Sequence, residues 1–150
     1  MKPDDSEPSA SSARRELVEG EISGKIIGAF FLVYNTLGFG FLERVYERAM
    51  YVALKNRGVK VERQVMFDVY FEGELVGRHR ADLLVERRVV VEVKATHTLP
   101  NASKRQLLNY LSALNLELGL VLHFGPSAQY YRVLSRRRST ATPTDQGRSG

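Results

Sequence analysis

The sequence predicts an α/β fold, a mixed β-sheet flanked by helices in the order α-α-β-β-β-α-β-β. Three observations lead to it. Two amphipathic stretches of helical periodicity come first. An alternating apolar–polar stretch follows and ends in a tight turn, as antiparallel strands require. Two nearly unbroken apolar runs then stand on either side of one more helix. A strand–helix–strand crossover makes those two strands parallel, and parallel strands are buried on both faces.

The first helix is expected over residues 16–34, where Leu17, Ile22, Ile26, Phe30 and Val33 recur at helical spacing. NTLGFG, residues 35–40, is a turn. Its Gly38 and Gly40 follow no strand and precede no Lys-Ser/Thr pair, so it is not a phosphate loop. The second helix is expected over residues 41–57, with Gly58 as its terminator. In residues 59–71, Val59, Val61, Val65, Phe67, Val69 and Phe71 share one face of a strand. EGE at 72–74 turns the chain into a second strand, 75–85, and ERR at 86–88 turns it into a third, 89–95. After Pro100 a capping box, Ser103-x-x-Gln106, opens the third helix. LGLVLHF (118–124) is the second apolar run, Gly125-Pro126 breaks it, and QYYRVL (129–134) forms the last strand. As an exposed edge, that strand is a candidate surface for a homodimer.

With 150 residues, 43% of them hydrophobic, the chain holds one domain, expected over residues 15–135. Residues 1–14 and the Arg-rich residues 136–150 are poor in large apolar side chains and read as disordered tails. There is no cysteine, which excludes disulfides, thiolate metal sites and a cysteine nucleophile and fits a cytoplasmic protein. The longest apolar patch, IIGAFFLVY, is too short to span a bilayer, and the acidic, Ser-rich start has no signal-peptide core. Net charge is +5, of which +3 falls within residues 15–135, a balance suited to a polyanionic partner such as nucleic acid.

The run VVVEVKA places Glu92 and Lys94 on one side of a strand that is otherwise apolar. Burying either charge costs on the order of several kcal/mol unless it is paired. If residues 86–88 form a three-residue loop, Val85 pairs with Val89 and Asp82 falls opposite Glu92, with Cβ atoms about 5 Å apart. Two carboxylates that close call for a cation. An ion pair of Lys94 with Asp82 or Glu92 is one solution. A hard divalent ion with oxygen ligands, Mg²⁺ or Mn²⁺, is the other. On the second helix Glu43 and Glu47 line up with Met50 and Leu54, while Arg44, Arg48 and Lys55 take the wet face. That helix therefore turns a carboxylate toward the core, unless its acids serve only surface ion pairs. His79, His97 and His123 show no metal-ligand spacing and are expected to be structural or exposed.

LGFGFLERVYERAM, VGRHRADLLVERRVVVEVKAT and QLLNYLSALNLELGLVLHFGP, in that order, resemble the GxxExxR family of small bacterial proteins, which is grouped with the PD-(D/E)XK nuclease superfamily. The resemblance covers about residues 20–134. It implies a restriction-endonuclease-like core and Mg²⁺-dependent phosphodiester hydrolysis of nucleic acid, with a catalytically inactive binding module as the alternative. Asp82 resembles the acid of the PD part, and Glu92 and Lys94 the (D/E)xK pair. Glu47, with Glu43 beside it, matches the acid often found on the first core helix. Gln106 and Tyr110 match the QLLxYL helix that borders the site. The metal set so implied is Asp82, Glu92 and Glu47, and the catalytic set adds Lys94 and Gln106. Three features depart from the family pattern: Ala81 replaces the proline, Tyr46 stands where the family name has Arg, and Ser103-Lys104-Arg105 replaces an acidic or His-containing segment. Arg78, Arg80 and Lys104 are candidates for backbone phosphate contacts.

Overall fold

In the computed structural model, which describes residues 10–135, the expected helices and strands form in the expected order. Helix α1 (Ala10–Leu37) and helix α2 (Glu43–Asn56) precede an antiparallel trio, β1 (Val61–Phe71), β2 (Glu74–Val85) and β3 (Val89–Lys94). Helix α3 (Ala102–Leu114) then carries the chain to β4 (Leu118–Phe124), which runs parallel to β3, and β5 (Ala128–Leu134) closes the sheet antiparallel to β4. Spatial order equals chain order, β1-β2-β3-β4-β5. The fold is a mixed five-stranded sheet flanked by helices, of the restriction-endonuclease-like kind.

Two apolar layers sandwich the sheet. On one face Leu83, Val91, Leu120 and Leu122 pack with Ile26 and Phe30 of α1 and Met50 and Leu54 of α2. On the other, Leu84, Val90 and Val121 pack with Leu107 and Leu111 of α3. Successive valines of β3 thus feed opposite layers, and this two-sided burial is what an unbroken apolar strand is for. Gly119 admits α3 to its layer, because a Cβ there would stand 2.9 Å from a Leu107 methyl. Turn chemistry holds the register. Glu72 and Gly73 both take positive φ (50° and 82°), as a two-residue hairpin turn demands. The 86–88 loop brings Val85 opposite Val89 as expected. Gly58, at φ 77°, follows α2, and its N–H donates to the Lys55 carbonyl.

Three local expectations are corrected. Residues 10–14, expected within the N-terminal tail, form the first turn of α1; Ala, Ser and Arg are tolerated there, and Arg15 reaches Glu117 at 3.5 Å. The remainder of both expected tails, residues 1–9 and 136–150, lies outside the described residues. Leu17 is exposed, because the helical seam through Ile22 and Ile26 continues back to Val18 and Glu19 rather than to position 17. The capping box does not form. Helix α3 starts at Ala102, Asn101 is its N-cap residue without a side-chain cap, and Ser103 is buried in the first turn with its N–H on the Pro100 carbonyl. Pro100, with its fixed φ, starts the turn before Ser103 can cap it. No helix among the described residues is long and apolar enough to cross a membrane.

Candidate active site

Strands β2 and β3 pair as a regular ladder at Val85↔Val89, Leu84↔Val90 and Leu83↔Val91. At the next rung the backbone exchange stops and side chains take over. The Asp82 N–H donates to Glu92 Oε2 (3.1 Å), and the Val93 N–H donates to Asp82 Oδ2 (2.8 Å). Each carboxylate is therefore held by the other strand's backbone, which fixes the pair side by side. Strand β1 deviates at the same rung. Gln64, opposite Asp82 between Arg63↔Leu83 and Val65↔Ala81, has φ 52°. Across this rung the chain turns over, so Ala81 and Leu84 face the same layer although they are three residues apart.

The electrostatics of the pair are those of two acids short of positive charge. Burial, reinforced by the Asp82 charge, raises Glu92 to about 8, against the opposing Asp82 N–H and Lys94. Burial also raises Asp82 to about 6; the Val93 N–H opposes this, and the carboxylates of Glu47 and Glu43 add to it. Lys94 is half-buried on the following pleat and, among the described residues, forms no ion pair within 4 Å. The ion-pair solution expected as one alternative for Lys94 is therefore not the arrangement found.

Helix α2 delivers its two acids differently. Glu43 is exposed, and its carboxylate accepts the Ala95 N–H at 3.3 Å, just past Lys94. Glu47 is buried with both oxygens engaged, Oε1 by Gln64 Nε2 (2.7 Å) and Oε2 by Arg63 Nε (3.2 Å). Among the described residues no three His, Asp or Glu side chains converge as a ready metal cluster. The donor chemistry still fits a hard cation. Asp82, half-buried, and Glu92, buried, offer adjacent carboxylates whose combined charge Lys94 offsets only in part, and phosphate and water oxygens are the natural remaining ligands of an oxygen-seeking ion.

Helix α3 borders this site. Burial and the nearby charges of Glu92 and Asp82 raise the Tyr110 hydroxyl, whose ring meets Phe67 (5.0 Å between centroids) and His79 (5.6 Å). Gln106 is exposed one turn earlier on the same stripe. The three basic candidates are placed less directly. Arg78 pairs with Asp68 at 3.1 Å, Arg80 is exposed opposite Met66, and the Lys104 ammonium lies 4.3 Å over the Tyr131 ring. His79 and His97 are exposed; His123 is buried, with Nε2–H on the Thr96 carbonyl at 2.8 Å.

Sequence reasoning missed Arg63 and Gln64 as partners of Glu47. A signal was present, since Arg63 interrupts the apolar alternation of β1 between Val61 and Val65. The amide exchange between Asp82 and Glu92 had no such signal, because it depends on where two strands part.

The sequence model of the PD-(D/E)XK nuclease superfamily matches residues 20–134. The chain belongs to this superfamily. A solved structure shares the overall fold. The crystal structure of SSO0001 superposes with a TM-score of 0.52 over 91% of this chain and 71% of that one, at 19% identity. No curated protein matches the sequence. Nucleases of the superfamily generally use divalent metals, in keeping with the charge-poor acid pair found here.

Proposed function

We propose that this chain is a Mg²⁺- or Mn²⁺-dependent phosphodiesterase acting on nucleic acid, of the GxxExxR kind within its superfamily. One observation carries the reading: the paired backbone clamps that hold Asp82 and Glu92 side by side in an apolar sheet, with Lys94 unpaired beside them. Asp82 and Glu92 would hold the ion, with Glu43 or Glu47 joining through a water or by exchange of partners. When bound, the ion makes a water more acidic and offsets phosphate charge. Lys94 orients the attacking water, and its ammonium steadies the charge that develops on the phosphate. Glu43 holds the Ala95 N–H and so fixes the backbone that carries Lys94. Tyr110 and Gln106 line the α3 side of the substrate path, and Arg78, Arg80 and Lys104 are secondary phosphate contacts.

A second reading has its own observation. The full engagement of Glu47 with Arg63 and Gln64 removes one carboxylate from the metal set, as expected of a fold retained for binding alone.

Calorimetry with Mg²⁺ on the native chain and on Asp82→Ala, followed by cleavage assays on labelled single-stranded and duplex DNA and RNA, separates the two. Metal binding lost in Asp82→Ala together with metal-dependent cleavage is expected. Nucleic-acid binding with neither metal uptake nor cleavage would sink the enzymatic reading in favour of the binding module.

A further inference from the structure

The loop between α1 and α2 displays three large apolar side chains to solvent: Phe39 (46% exposed), Phe41 (47%) and Leu42 (67%). Folding covers them only in part, the Phe41 ring meeting Tyr46 edge-on at 6.0 Å, yet the loop is firmly held. Gly38 and Gly40 take φ of 75° and 122°, conformations that favour glycine, and these turn the Phe side chains outward. Beneath them Tyr46 is fully buried and stacked on Phe124 at 4.2 Å, and its hydroxyl donates to the Gly38 carbonyl while accepting the Phe41 N–H. Leu42 is also the N-cap residue of α2 and provides no side-chain cap, where Ser, Asn or Asp would serve the helix better. A rigid loop that breaks two local rules at once, apolar exposure and an empty cap, is the mark of a functional surface.

Its position says what the surface meets. Glu43, the very next residue, bonds to Ala95 beside Lys94, and the Phe39 ring lies 6.4 Å from that of His97 on the segment leaving β3. The apolar tip thus stands beside the segment that leaves β3 just past Lys94. The geometry points to a nucleobase-binding wedge: Phe39, Phe41 and Leu42 contact unpaired bases next to the scissile phosphate. The inference rests on the nucleic-acid reading above and adds the substrate class, a strand whose bases are unpaired at the cut. Paired bases keep their faces within the helical stack, whereas an unpaired base offers a face on which Phe can stack and an edge step into which Leu can insert.

The test uses the full chain with Ca²⁺ in place of Mg²⁺, and fluorescence anisotropy on three labelled DNAs: a single strand, a duplex with an unpaired tail and a blunt duplex. The variants are Phe39→Ser with Phe41→Ser, and Leu42→Ser alone. The native chain should prefer the first two DNAs, and the Phe pair should lose about tenfold to a hundredfold in affinity for them. Leu42→Ser should weaken binding while raising Tm, because Ser caps α2; a merely structural Leu42 would lower Tm instead. Cleavage is assayed separately with Mg²⁺. Native affinity retained in the variants, or equal preference for blunt duplex, overturns the wedge even if cleavage is seen. Wedge-dependent binding without cleavage keeps the wedge and overturns only the enzymatic reading. No binding to any of the DNAs, or variants that instead shift the chain from dimer to monomer in sedimentation, also overturns the wedge.

Discussion

Glu47 and Glu92 are buried to the same depth, 6% and 7% exposed, but the protein surrounds them in opposite ways. Glu47 lies between α2 and β1 under a guanidinium and a side-chain amide, so its charge is answered. Glu92 lies at the parting of β2 and β3 with one backbone N–H, a second carboxylate and only the more distant Lys94 ammonium to answer it, and its proton is held to about pH 8. A fold selected for stability alone has no reason to leave the second arrangement in its sheet. The contrast separates an acid whose charge is answered from one whose charge is not, which is the difference the proposed metal role rests on.

The largest effect should fall on activity. Glu92→Gln keeps an acceptor for the Asp82 N–H but removes the charge, and Lys94→Ala removes the ammonium. Each should lower metal-dependent cleavage by about 10²–10⁴-fold, measured as kcat/KM on the best substrate. Cleavage within a few-fold of native for either variant would break the distinction drawn here. Next in size, Arg63→Ala leaves the buried Glu47 carboxylate half-answered and should destabilise the chain by about 3 kcal/mol in urea unfolding.

The third prediction concerns pH. Because the folded chain holds Glu92's proton more tightly than the unfolded chain does, raising pH from about 4.5 to about 8 strips the unfolded state first and weakens the native one. Metal-free Glu92→Gln should therefore be more stable than the native chain at pH 8, by on the order of a few kcal/mol, with the gap closing below pH 5. Melting curves across that range check it; a constant gap would mean that the folded chain holds Glu92's proton no more tightly than the unfolded one. Smallest, Gln64→Gly keeps the left-handed backbone but removes one of two donors to Glu47, at a cost of about 1.5 kcal/mol. A larger loss than for Arg63→Ala would reverse the roles given to the two partners.

Much of this site could be anticipated. The three-residue loop 86–88 sets the hairpin register, so the facing of Asp82 and Glu92 follows from counting, and the α2 stripe brings Glu43 and Glu47 toward the sheet. What escaped depends on contacts distant in sequence. The Glu47–Arg63 pair joins a helix to a strand sixteen residues on, and no local pattern ranks Glu43 above Glu47 for access to β3. The start of α3 escaped for the reverse reason: a plausible local signature at Ser103 lost to the turn begun at Pro100.

The crossed amides of Asp82 and Val93 have a bearing on how the chain folds. A slip of one residue between β2 and β3 would turn every valine of β3 toward the wrong layer and would also leave two amides without acceptors and two carboxylates without donors. The paired acids therefore proofread strand alignment. A descendant that discarded them for lack of chemistry would need some other device to find its register.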